Sequence, residues 1–130
     1  MNIDDVMQWL KTIGAPAGVQ GWTMARLDAS KERRIGVYQR PQRDGMEVAV
    51  GRAEKTRCKH IQLLVHWTEN AHETELAAQA LYDAIAAAGH PSIGGTRADH
   101  IDLLMPEPAD IGADEGGIFE RALWLDIYHR

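Results

Sequence analysis

A single cysteine, Cys58, stands in the 130 residues, so no disulfide can form within the chain. A reducing compartment is the natural expectation. No apolar run approaches the ~20 residues that a membrane-spanning helix needs, which sets aside a helical span. The opening stretch MNIDDVMQWLKTIG is acidic and amphipathic, whereas a secretory signal runs basic and then apolar. These shortages together predict a soluble, intracellular protein. Positive charge is scarce as well: 14 Lys and Arg against 19 Asp and Glu give a net charge of −5 with histidine neutral. Such a chain is repelled by a phosphate backbone unless its few bases gather in one place. The glycine pairs Gly94-Gly95 and Gly116-Gly117 lack the G-x-x-x-x-G-K-[ST] and G-x-G-x-x-G patterns of phosphate loops, and they read as bends ahead of strands.

What is present is ordinary globular material. Apolar residues make up 45% and charged residues 25%, enough for one two-layer core in a single domain spanning 1–130. Ile3, Val6, Met7, Leu10 and Ile13 recur at helical spacing, with Asn2 as the cap, Asp4 and Asp5 near the positive end of the dipole, and Gly14 and Pro16 as stop signals. Residues 14–31, rich in Gly, Ala and Pro, read as a long loop or an approach strand. Alternation in RRIGVYQ, a break at Pro41 and Asp44-Gly45, and a restart at Met46, Val48 and Val50 predict a hairpin of 34–40 with 46–51. KHIQLLVHW is a central strand by content. The segment from Asn70 to Pro91 is the best helix, with Asn70 and Glu73 placed for a capping box and Leu76, Ala77, Ala80, Leu81, Ala84, Ile85 and Ala88 as the expected buried stripe. Strands follow at 98–105 and 118–129, separated by the acidic loop PEPADIGADEGG. The predicted order is α-β-β-β-α-β-β: an α+β domain with a mainly antiparallel sheet and helices packed on one side.

Charges are unevenly spread. Arg26, Lys31, Arg33, Arg34, Arg40 and Arg43 gather in one third of the chain, and Glu107, Asp110, Asp114 and Glu115 gather near the other end. That split suits head-to-tail contact between copies of one chain, and equally two solvated faces. Of the four tryptophans, Trp9 and Trp67 belong to apolar faces and read as core. Trp124 and Tyr128 fall on the strand face opposite Leu123, Leu125 and Ile127, where a helix or a neighbouring chain must cover them.

Six histidines raise the question of a metal or a catalytic centre. His66, Glu69, His72 and Glu73 are close in sequence, yet His66 closes a strand and His72 opens a helix. No i, i+3 or i, i+4 ligand pair and no Cys/His knuckle is present, so the stretch reads as a joint. Cys58 and His60 share a strand face, with no acid or oxyanion motif beside them in sequence. Asp110, Asp114 and Glu115 offer oxygens, but not the dense alternation of an EF-hand loop. No catalytic residue, cofactor or metal is predicted.

The succession of IGVY, LLVHWTENAHETELAAQALYDAI, the IGG turn and LLMPEPADIGADEGGIFERALWLDIYHR resembles the small minor capsid proteins encoded in head–tail modules of tailed phages and prophages. Members of that group read much like LLVHW followed by NADETE-type residues, and carry an acidic PEP-x-D-x-G turn before the closing strand. The run from Pro106-Glu107-Pro108 to Gly116-Gly117-Ile118 is similar to that turn. The likeness spans most of residues 33–130, and the element order is similar to the tail terminator fold of long-tailed phages. It implies a ring, typically of six copies, that caps the tail tube and joins it to the head through a connector or stopper protein. Double-stranded DNA would only pass through its lumen. The implied location is the head–tail junction of the virion, with assembly in the bacterial cytoplasm. Expected contacts are the acidic turn 107–117 (Glu107, Asp110, Asp114, Glu115), the basic hairpin 40–45 with Arg40 and Arg43, and the aromatic pair Trp124 and Tyr128. A head-closure or stopper protein of the same module is the near alternative. From other classes, the alternatives are a small metal-binding or enzymatic α/β protein using Cys58, His60 and His66, and a simple dimer.

Overall fold

The computed structural model describes residues 1–24, 26–41 and 56–130. Its elements are α1 (Ile3–Ile13), β1 (Gly21–Thr23), β2 (Arg34–Gln39), β3 (Arg57–His66), α2 (Ala71–Ala86), β4 (Ser92–Ile93), β5 (Thr96–Leu103), β6 (Ala109–Ala113) and β7 (Phe119–His129). The strand order is β1-β2-β3-β7-β5-β4, with β6 added to β7 beside β5. Every pairing is antiparallel except β1 with β2. The chain is thus an α+β domain, as its pattern predicts.

The two longest strands, β3 and β7, pair along their whole length from Arg57↔His129 to His66↔Glu120. Period two then sorts their side chains. Ile61, Leu63 and Val65 of β3, with Leu123, Leu125 and Ile127 of β7, face inward and are buried. Ile35 and Val37 of β2 join them in register opposite Val65 and Leu63. Val6, Met7, Trp9 and Leu10 of α1 and Ala77, Ala78, Leu81 and Ile85 of α2 complete the same core. Full burial of one such aliphatic side chain stabilises the fold by about 1.5–3 kcal/mol. Because α1 packs against both β2 and β4, which stand near opposite ends of the strand order, the sheet curls around it. At Gly94 a Cβ would lie 2.3 Å from the Asp5 carboxyl carbon, so only glycine lets the β4–β5 turn approach α1 this closely.

Local chemistry explains the helix ends. Asn2 and Asp5 form a reciprocal capping box, and Gly14 closes α1 at φ 77°. On α2 the expected box is only half made. Asn70 accepts from the Glu73 N–H at 3.0 Å, but the Glu73 carboxylate turns to the Thr68 hydroxyl at 3.1 Å. The buried stripe of α2 is Thr74, Ala77, Ala78, Leu81 and Ile85, and Leu76 is 56% exposed. The expected stripe was therefore rotated too far toward Leu76: Thr74, capped onto Thr68 and Asn70, sets the helix's roll instead.

One strand expectation falls partly outside the described residues, and one is corrected. Residues 34–39 pair with β1 and β3, while the expected partner segment 46–51 lies outside the described residues. The approach segment contributes the short parallel strand β1. The acidic stretch is not a plain loop: β6 forms a hairpin with β7, with a register shift between Asp110 and Gly112. Gly94 and Gly95, with φ of 58° and 78°, make the two-residue turn of a small hairpin that the chain pattern showed only as a bend.

Candidate functional site

Both helices lie on the inner face, so the outer face of the sheet is where polar and aromatic side chains collect. Period two places Cys58, His60, Gln62, Leu64 and His66 of β3 there, opposite Tyr128, Asp126, Trp124, Ala122 and Glu120 of β7. No helix of the described residues covers them. Trp124 is 42% exposed at the middle of this face, and the Arg40 guanidinium lies 5.2 Å from its ring centroid. Tyr128, half-buried, stacks on His100 of β5 at 6.1 Å.

Two histidine–carboxylate clusters stand on this face, one toward each end of β3. In the first, Asp126 is buried and receives both the Arg40 guanidinium and His60 Nδ1, the latter at 2.7 Å. Arg40 reaches it from the end of β2 by crossing over β3, where its Nε donates to the Ile61 carbonyl at 3.3 Å. Cys58 Sγ lies 3.7 Å from the same His60 Nδ1. A nucleophilic relay uses the two imidazole nitrogens separately, one for the nucleophile and one for the acid. Here both contacts fall on one nitrogen, so Cys58, His60 and Asp126 are not arranged as a triad.

In the second cluster, His66 is fully buried. Its Nδ1 faces Glu120 Oε2 at 2.9 Å and Asp114 Oδ2 at 3.8 Å, and its Nε2 faces the Ala29 carbonyl at 3.2 Å. Asp114 is oriented by its other oxygen, which accepts from the Gly116 and Ile118 N–H groups at 2.9 and 3.0 Å. Ala29 sits in a turn that Asp28 organises, accepting from the Ser30 hydroxyl at 2.6 Å and the Ser30 N–H at 3.1 Å. Those hydrogen bonds, the hydroxyl's first, hold the Asp28 carboxyl below its ordinary value, with Lys31 and Arg34 adding to the effect. Nearby, Tyr38 folds back over Gly36, where a Cβ would meet its ring carbon at 2.5 Å. Burial pushes the Tyr38 phenol above its ordinary range. A backbone hydrogen bond with Leu27 opposes that shift, and the Glu120 charge reinforces it.

The residues singled out from the sequence thus scatter. Glu107, Asp110 and Glu115 are exposed around the β6–β7 hairpin, Asp110 within 3.7 Å of Arg121. Asp114 differs from them, because its carboxylate turns inward to His66. Arg43 and most of the basic hairpin 40–45 lie outside the described residues. His72 is an exposed first-turn residue, 4.0 Å from Glu75, and takes no part in the His66 cluster. Cys58, His60 and His66 do not form one site: six residues of extended chain separate the two histidines by roughly 20 Å. Asp126, Glu120 and the Ala29 carbonyl were missed. One signal for the acids was present, since His60 and His66 are spaced six apart on one strand and Glu120 and Asp126 six apart on another. One antiparallel register aligns both pairs. No family model matches the chain, and no curated protein matches it in sequence.

Proposed function

We propose that this chain is a structural subunit of the head–tail junction of a tailed phage, a tail terminator that closes into a ring, most simply of six copies. The observation that carries the reading is the outer face of the sheet, which no helix of the described residues covers and where Trp124 is 42% exposed with Arg40 and Tyr128 beside it. An aromatic anchor ringed by polar groups is the composition of a protein–protein contact. The acidic β6–β7 hairpin, bearing Glu107, Asp110 and Glu115, supplies a second contact element toward the tail tube or the connector. In this reading DNA only passes through the lumen, and the chain's net charge of −5 does not favour holding the duplex. The sequence resemblance across most of residues 33–130 supports the same station.

Each interface of such a ring is small, and the free chain need not close it alone. The test is native mass spectrometry of the purified protein, alone and with tail-tube ends of the same phage or prophage. A hexamer in either condition is expected, and a monomer or dimer in both overturns the ring. Trp124→Glu is expected to leave a folded chain that no longer closes the ring.

A further inference from the structure

The second histidine cluster has a deficit that the first does not. The Ala29 carbonyl can only accept a hydrogen bond, so His66 Nε2 donates to it, and Nδ1 is the nitrogen turned toward the carboxylates. What faces Nδ1 is two carboxylate oxygens, at 2.9 and 3.8 Å, an arrangement that a proton or a cation between them completes. Among the described residues no lysine or arginine forms an ion pair with Asp114 or Glu120. Three potential ligand atoms, one of them on a fully buried imidazole, thus converge within 4.8 Å of one another, with no cationic side chain paired to the two acids among the described residues. A carbonyl on the far nitrogen is also how proteins orient a metal-ligating histidine and raise its basicity.

We infer that His66 Nδ1, Glu120 Oε2 and Asp114 Oδ2 bind one divalent first-row transition ion, with Zn2+ the best fit. One nitrogen and two carboxylate oxygens suit that class, and a buried imidazole argues against Mg2+ or Ca2+, which take oxygen. Bonds of about 2.0–2.1 Å in a tetrahedron place ligand atoms ~3.4 Å apart. The 3.8 Å between Nδ1 and the Asp114 oxygen needs little change, and the 2.9 Å to Glu120 opens by a small rotation at the end of a flexible side chain. The Asp114 and Glu120 side chains keep 19% and 17% exposure, leaving a wet side for a fourth, water ligand. The ion is structural: it clamps the end of β3, the turn at Asp28–Lys31 and the β6–β7 hairpin to one another. This inference is independent of the ring. The cluster Cys58, His60 and Asp126 has a similar donor set, but the Arg40 guanidinium already occupies its carboxylate.

The test uses the full chain, stripped with EDTA and titrated with Zn2+, with Co2+ as the spectroscopic probe. One Zn2+ per chain is expected, with a rise in Tm of about 10 °C at a hundredfold excess over Kd. Visible absorption of four-coordinate Co2+ should carry no thiolate charge-transfer band. Asp114→Asn, which keeps the oxygen that accepts from Gly116 and Ile118, and Glu120→Gln are each expected to weaken binding at least tenfold. Asp126→Asn and Cys58→Ser are expected to leave it unchanged. Absence of stoichiometric binding overturns the inference, as does binding that survives Asp114→Asn and Glu120→Gln or is lost with Cys58→Ser. A metal-free protein in which nitrogen NMR finds protons on both His66 nitrogens, and which takes up no Zn2+, overturns it too.

Discussion

The two ends of the outer sheet face carry nearly the same side chains and resolve them in opposite ways. At one end, a histidine and an aspartate meet a guanidinium delivered from the end of β2, and the buried negative charge is met inside the molecule. At the other, a histidine and two carboxylates meet backbone groups and, among the described residues, no cationic side chain, so the positive partner is a proton or a metal ion. Composition alone does not distinguish the clusters. What separates them is the position of one long cation, Arg40, 86 residues from Asp126 in the chain.

The strongest way to break the contrast is to remove that cation. Arg40→Met is expected to destabilise the protein by about 3 kcal/mol, because it strands a buried carboxylate beside His60. Urea denaturation at neutral pH measures it, and a loss below ~1 kcal/mol would mean that solvent already screens the pair. A sharper form applies one substitution to both ends in metal-free protein. Asp126→Asn should cost about 2 kcal/mol by leaving Arg40 without its carboxylate. Asp114→Asn should instead raise stability by up to ~1 kcal/mol, since it relieves crowding with Glu120 and keeps both backbone hydrogen bonds. Losses of equal sign at the two sites would erase the distinction.

The exposed hairpin acids are the control. Asp110→Ala with Glu115→Ala should change monomer stability by no more than ~1 kcal/mol, as expected of solvent-screened charges; on the proposed terminator role it should also weaken attachment to tail-tube ends. Normal infectious particles from the same double variant would remove the hairpin from the contact.

The smallest effect is at high pH. The folded Tyr38 phenol titrates above the ordinary value of 10.0. Below pH 10 both folded and unfolded chains hold the proton, and its contribution is whole. As pH rises past 10, the unfolded chain releases its proton first, so stability falls toward the folded value. Comparing the alkaline limb of denaturation curves for the wild type and Tyr38→Phe isolates it. Glu120→Gln should move the Tyr38 titration back toward ordinary, since the Glu120 charge is one of its causes.

Much of the fold was legible because it rests on local rules. Asn2, Gly14, Asn70 and the alternation in 57–66 and 119–129 each act within a few residues, and the elements they predict are present. Legibility failed where a partner was distant. The roll of α2 depends on how Thr74 meets Thr68, and Leu76 was misplaced for lack of that contact. The stretch 106–117 looked like a loop because five residues with one glycine carry little alternation, and β6 is held by the edge of β7. The candidate metal site was the least visible part, since its ligands come from three segments and its tautomer from a fourth.

The sequence by itself determined both helices, the long strands β3 and β7 with their inward stripe, and the placing of Trp124 on the opposite face, since short-range periodicity decides all of these. It also held, in the matched six-residue spacings, the pairing of both histidines with acids. Only the tertiary structure decided which pair would have a cation of its own. That depends on where the Arg40 side chain ends after the sheet has curled and on which carbonyl the turn at Ala29 presents to His66. These are distances through space that no local preference encodes.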